Sequence, residues 1–166
     1  MKAKKTGIAL AVLGLTVGFA AVSTTLFING TTTIKSNKED FVKNIKFTAA
    51  TIAEGTASHT DTTVTFKTKD FTALGDTATL NYTITNASTY DAEFGANPIT
   101  CTASDANYIT VTPGNELNNQ KVATGSSIDG TVVVKLAKSY VEDTAKDVTI
   151  TCQIDANALE AADMNK

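Results

Sequence analysis

The chain contains no arginine: all 14 basic residues among its 166 are lysine. Arginine is the side chain that forks onto phosphates and guanine edges, so its absence argues against a nucleic-acid partner. The formal net charge of -3 points the same way. Tryptophan is also missing, and there is one histidine, His59. A single imidazole cannot build a His-His zinc site, and no His-Glu-x-x-His stretch occurs. There is no Gly-rich phosphate loop. The only two thiols, Cys101 and Cys152, are not spaced as a metal-binding or redox pair. These gaps leave little for catalysis or a cofactor to use, and the expectation is a non-enzyme without a cofactor.

What the chain does have is apolar content and threonine. Hydrophobic residues make up 42%, enough for a real core and too much for wholesale disorder. About 30 residues are Thr, a β-branched type suited to pleated surfaces. The clearest single stretch follows the Gly75-Asp76 turn signal. Ala78, Leu80, Tyr82 and Ile84 alternate there with Thr77, Thr79, Asn81, Thr83 and Thr85 before Asn86-Ala87-Ser88 reverses the chain. A period of two belongs to a half-buried strand, with one face on a core and the other in water.

The same grammar recurs. Ile45, Phe47 and Ala49 predict a strand, and Ser36 to Lys43 predicts a short helical turn before it. Residues 55–61 read as a polar loop holding His59. Further strands are expected at Val64 and Phe66, at Ile99, Cys101 and Ala103, and at Ile109 and Val111, the last stopping at Pro113-Gly114. Val132, Val134 and Leu136 predict another. Val148, Ile150, Cys152 and Ile154 predict the last, with an Ala-rich frayed helix or tail after Asp155. Seven short strands without a βαβ rhythm predict an all-β, immunoglobulin-like antiparallel β-sandwich.

One long hydrophobic run stands apart. Lys2, Lys4 and Lys5 precede Ile8 to Val22, which carries no charge, and this is the layout of an export signal. Ala21-Val22-Ser23 places small residues ahead of a cut between Ser23 and Thr24. The alternative is an uncleaved transmembrane helix contacting the membrane: residues 7–28, at about 1.5 Å each, would cross a hydrocarbon core of roughly 30 Å. Either way the remainder is expected outside the cytoplasm. Residues 1–28 are thus expected as signal peptide or anchor, 29–44 as linker or N-terminal strand, 45–155 as the sandwich, and 156–166 as a tail.

Cys101 and Cys152 both fall on the apolar phase of their strands. In an exported chain that predicts one buried disulfide, the alternative being two separate buried thiols. Gly75-Asp76 and Asp129-Gly130 read as turns rather than cation ligands, since calcium needs several oxygens converging in one loop. Tyr90, Phe94 and Tyr108 are candidates for an aromatic binding ledge, with core or rim packing as the plainer reading.

Phe27-Ile28-Asn29-Gly30-Thr31, Leu74-Gly75-Asp76 with Asn86 and Asp91-Ala92, and Gly130-Thr131-Val132-Val133-Val134-Lys135 resemble a group of exported bacterial proteins. That group has a signal-like helix, an N-G-x-x-x-I segment and a P-G-D … N-x-G-x-x-D-A element in an immunoglobulin-like sandwich. It is similar in turn to the camelysin/TasA-type surface and biofilm-fibre proteins. This chain departs in carrying Leu74 for the usual Pro and Ser88 near the usual Gly. The resemblance implies a cell-surface structural or interaction protein, a subunit of an extracellular fibre or matrix, with an adhesin-like module for carbohydrate or protein as the alternative. It also implies self-association by lending an N-terminal strand, here residues 24–34 with Leu26 and Ile28 as its apolar contacts. The metalloprotease label attached to camelysin-like proteins does not carry over, because ligand histidines are lacking.

Overall fold

The computed structural model describes residues 22–28, 39–142 and 144–159. In chain order these form β1 (Val22–Ile28), α1 (Glu39–Asn44), β2 (Ile45–Ile52), β3 (Gly55–His59), β4 (Thr63–Thr68) and β5 (Thr77–Asn86). Then come β6 (Ala92–Glu93), β7 (Ile99–Ala103), β8 (Ile109–Pro113), β9 (Lys121–Val122), β10 (Ser127–Leu136) and β11 (Ile150–Ala158). The protein is all-β. Its strands form two sheets, one of four strands in the order β2-β5-β10-β8 and one of seven. The larger runs β3-β4-β1-β11-β6-β9, with β7 also paired to β11. Every pairing is antiparallel except the short parallel contact of β1 with β4.

Alternation sets the inward face. Leu80, Tyr82 and Ile84 of β5 and Val132, Val134 and Leu136 of β10 are buried, as are Val64 of β4 and Cys152, Ile154 and Ala156 of β11. Side chains from both sheets belong to one hydrophobic core. Phe47 and Tyr82, both in this core, meet edge-on with ring centroids 5.7 Å apart. Each such side chain removed from water stabilises the fold by about 1.5–3 kcal/mol, so this shared core is what holds the two sheets together.

Four strands beyond the seven expected lie among the described residues, and each has a reason for escaping the pattern. β6 and β9 are two residues long, too short to show a period. β3 occupies much of the expected 55–61 loop; only Ala57 of its five residues is even half-buried, because it is an edge strand paired with β4 alone. β1 overlaps the N-terminal strand expected at residues 24–34 and takes residues assigned in the other reading to the hydrophobic helix, which therefore does not extend through Val22–Ile28; the helix's earlier part lies outside the described residues. Three details also differ. The register of β2 shifts between Phe47 and Ala49, so Ala50 rather than Ala49 pairs with Tyr82 and packs on the core. Asp129-Gly130 is not a turn but lies within β10, opposite Thr83 and Tyr82. The Ala-rich stretch after Asp155 continues β11, with Ala156 and Ala158 buried.

Candidate functional site

β11 has a neighbour along each of its edges. On one side lie β7 and then β6; on the other lies β1, paired over seven residues from Val22 opposite Ala158 to Ile28 opposite Cys152. The far edge of β1 meets β4 only through Phe27 and Ile28, parallel to Thr63 and Val64. β1 thus fills a slot between β11 and the β3–β4 hairpin. Remove it, and one edge of β11 loses a row of main-chain hydrogen-bond partners. All four N-terminal residues singled out in the sequence sit in this strand. Ser23 and Thr24 lie opposite Asn157 and Ala156, while Leu26 and Ile28 lie opposite the buried Ile154 and Cys152.

The disulfide joins Cys101 of β7 to Cys152 of β11, so it braces the slot's own floor strand. The amides of Ser104 and Asp155 donate to the carbonyls of Thr149 and Pro98. Counting from those bonded pairs, Cys101 and Cys152 form the intervening pair that exchanges no main-chain bond, the kind with the closer Cα atoms. Their Cα atoms are 4.0 Å apart. The bridge therefore ties two neighbours in one sheet and does not span the two sheets.

A second feature is a shallow groove of about 340 Å³ on the outer face of the four-stranded sheet. Thr51, Asn81, Thr83, Asp129, Thr131 and Glu116 contribute to its lining. Its carboxylates are already engaged. The Thr83 hydroxyl donates to Asp129 at 2.6 Å and the Thr131 hydroxyl to Glu116 at 2.8 Å.

Other candidates are dispersed. His59 ends edge strand β3 and is exposed, and among the described residues no group of three or more His, Cys, Asp or Glu side chains could hold a metal ion. Asp76 Oδ2 accepts the amides of Thr72 and Ala73 at 2.7 and 2.8 Å, which fixes a turn completed by Gly75 at φ 93°. The aromatic ledge does not form: Phe94 is buried in the core, and Tyr90 and Tyr108 pack partly against it. Among the described residues no helix is long and apolar enough to cross a membrane.

One polar node was not anticipated. Asn86 continues the inward phase of Leu80, Tyr82 and Ile84 and is only 1% exposed. Its Nδ2 donates to the carbonyls of Tyr90 and Val122, both at 2.8 Å, and its Oδ1 accepts the Ser88 amide and hydroxyl. Thr89 beside it donates its amide and hydroxyl to Asp40 of α1, and Asp91 accepts the Thr124 amide. This chain of bonds joins α1, β5, β6 and β9. The legible signal was an asparagine on an apolar phase.

No protein-family model and no curated protein matches the chain. Among solved structures it is similar to the envelope protein VP37 of White Spot Syndrome Virus, with a TM-score of 0.39 and 10% identity over 85% of this chain and 98% of that one.

Proposed function

We propose that this is an exported, non-catalytic structural and interaction protein of the cell surface, working in the manner of the camelysin/TasA-type fibre subunits it resembles. The two sheets are read as layers of an immunoglobulin-like sandwich whose seven-stranded layer is completed by a transferable strand. The observation that carries this reading is the seven-residue ladder of β1 on β11. Residues 29–38 connect β1 to α1, and ten residues at about 3.3–3.6 Å each can span more than 30 Å when extended. The same ladder can therefore be completed by the β1 of a neighbouring copy. Main-chain bonds would supply affinity, and register against Ile154 and Cys152 would supply selectivity.

The disulfide supports export, since such bonds persist in oxidising compartments. β1 also bears on the anchor. Once Val22–Ile28 is used as strand, the uncharged run from Ile8 stops at Ala21, fourteen residues in all. That is shorter than the roughly 20 needed to span a bilayer and suits a signal segment. Cleavage before Thr24 would leave Thr24 to Ile28 for pairing.

The test compares residues 24–166 with residues 36–166 by light scattering. The longer chain is expected to form concentration-dependent oligomers, and the shorter to stay monomeric and capture an added peptide of residues 22–28. Equal monomeric behaviour of both chains would remove strand exchange.

A second reading, a carbohydrate-binding module, rests on the hydroxyl- and carboxylate-lined groove over β5 and β10. On a glycan array it requires binding that Asn81→Ala and Asp129→Ala abolish.

A further inference from the structure

Tyr108 and Tyr140 stand edge to face with ring centroids 5.2 Å apart and planes at 82°. Tyr140 lies on the irregular segment between β10 and β11, and both ends of that segment are tied to the turn that carries Tyr108. At one end the Ala137 amide donates to the Tyr108 carbonyl at 2.8 Å. At the other, the Lys146 ammonium pairs with Asp105, whose carbonyl accepts the amides of Tyr108 and Ile109. The ammonium groups of Lys138 and Lys146 sit 5.3 and 5.8 Å from the centre of the Tyr108 ring. Both rings are half-exposed, so a small oxidant can reach them. The chain has two other tyrosines: Tyr82 is 1% exposed, and Tyr90, half-buried as Tyr108 is, lies instead at the Asn86–Ser88 node, whose side chains donate to its carbonyl.

We infer that Tyr108 and Tyr140 are a site of oxidative cross-linking, coupled to an intramolecular dityrosine by a peroxide-using peroxidase. Each phenol loses one electron and its hydroxyl proton. The two phenoxyl radicals join through the ring carbons ortho to oxygen. The hydrogens on those carbons then move to the oxygens and restore both phenols. One hydrogen peroxide takes up the two electrons and two protons and leaves as two waters, so the chain loses two hydrogen atoms. The double tether makes the pairing selective. It holds Tyr140 near Tyr108 at an effective concentration on the order of millimolar, far above that of a second chain in dilute solution. The product would staple the β10–β11 connection to the start of β8.

The experiment oxidises the full chain, at low protein concentration, with a haem peroxidase and hydrogen peroxide. Dityrosine fluorescence is read on the monomer fraction and linked peptides are mapped by mass spectrometry. The expected result is a monomer lighter by two hydrogen atoms with one link, between residues 108 and 140. Tyr108→Phe and Tyr140→Phe, which keep both rings, should each bring monomer fluorescence to background, while Tyr90→Phe leaves it unchanged. Dityrosine persisting in the Tyr140→Phe monomer, or appearing in wild type only in dimers, would overturn the assignment. A nicking experiment reads the staple separately: protease cleavage between Ala137 and Thr149 should slow after oxidation, and an unchanged rate counts against it.

Discussion

Gly130 has no side chain because Tyr82 occupies the space one would fill. A Cβ there would lie 2.5 Å from both Cζ and Oη of the Tyr82 ring, which leans across β10 from its register partner on β5. Gly130→Ala should destabilise the fold by about 1–3 kcal/mol, read as a lower urea midpoint. Tyr82→Phe is the informative counterpart. The Tyr82 hydroxyl is buried without a hydrogen-bond partner, and burial pushes its pKa up. Removing it relieves a desolvated polar group, so the midpoint should hold or rise. Asn86 is the opposite case: every polar atom of its side chain is bonded. Asn86→Ala takes a donor from the Val122 carbonyl and the acceptor from the Ser88 amide, while the Tyr90 carbonyl keeps the Ser88 hydroxyl, and should cost roughly 2–4 kcal/mol in the same assay. The sequence of β5 announced its inward phase but not these roles. A glycine in a strand and an asparagine at a strand end both resemble turn residues until the partner strand is in place.

At the scale of elements, carboxylates hold the connections. The Ala73 amide, and after it the Thr72 amide, keeps the Asp76 carboxyl below its ordinary value, and the Thr89 amide and hydroxyl do the same for Asp40. A carboxyl whose pKa is depressed by folding stabilises the native state above its unfolded pKa. That contribution fades as pH falls through the folded pKa. The melting temperature should therefore drop as pH is lowered through and below 4, and Asp76→Asn should flatten that slope. A constant melting temperature from pH 6 to 2.5 would contradict the assignment. The disulfide acts on a larger element. Its cysteines are 51 residues apart, and chain-entropy reasoning gives the closed loop about 4 kcal/mol. Reduction or Cys101→Ala with Cys152→Ala should lower unfolding free energy by roughly that amount. That both cysteines face inward was readable from alternation in β7 and β11. That the two strands are adjacent was not, because pairing depends on contacts made across the intervening residues.

At the scale of the whole molecule, β1 changes the architecture most. Its ladder on β11 brings residues far apart in sequence into one sheet, and it gives β4 a parallel neighbour in an otherwise antiparallel fold. In the chain lacking residues 1–35, β11 amides facing the vacated edge should exchange with deuterium faster, and a peptide of residues 22–28 should restore their protection. Protection unaffected by the truncation would mean that β11 does not depend on β1.

Composition and alternation by themselves determined the all-β class, the seven principal strands, most of their inward residues and the inward placement of both cysteines, because side-chain direction in a strand follows locally from backbone geometry. Only the tertiary structure decided which strands are neighbours, that Val22–Ile28 is one of them, that the β2 bulge turns Ala50 inward, and that Tyr108 and Tyr140 meet. Those outcomes depend on long-range pairing, in which hydrogen bonds and packed side chains are supplied by residues that no local window contains.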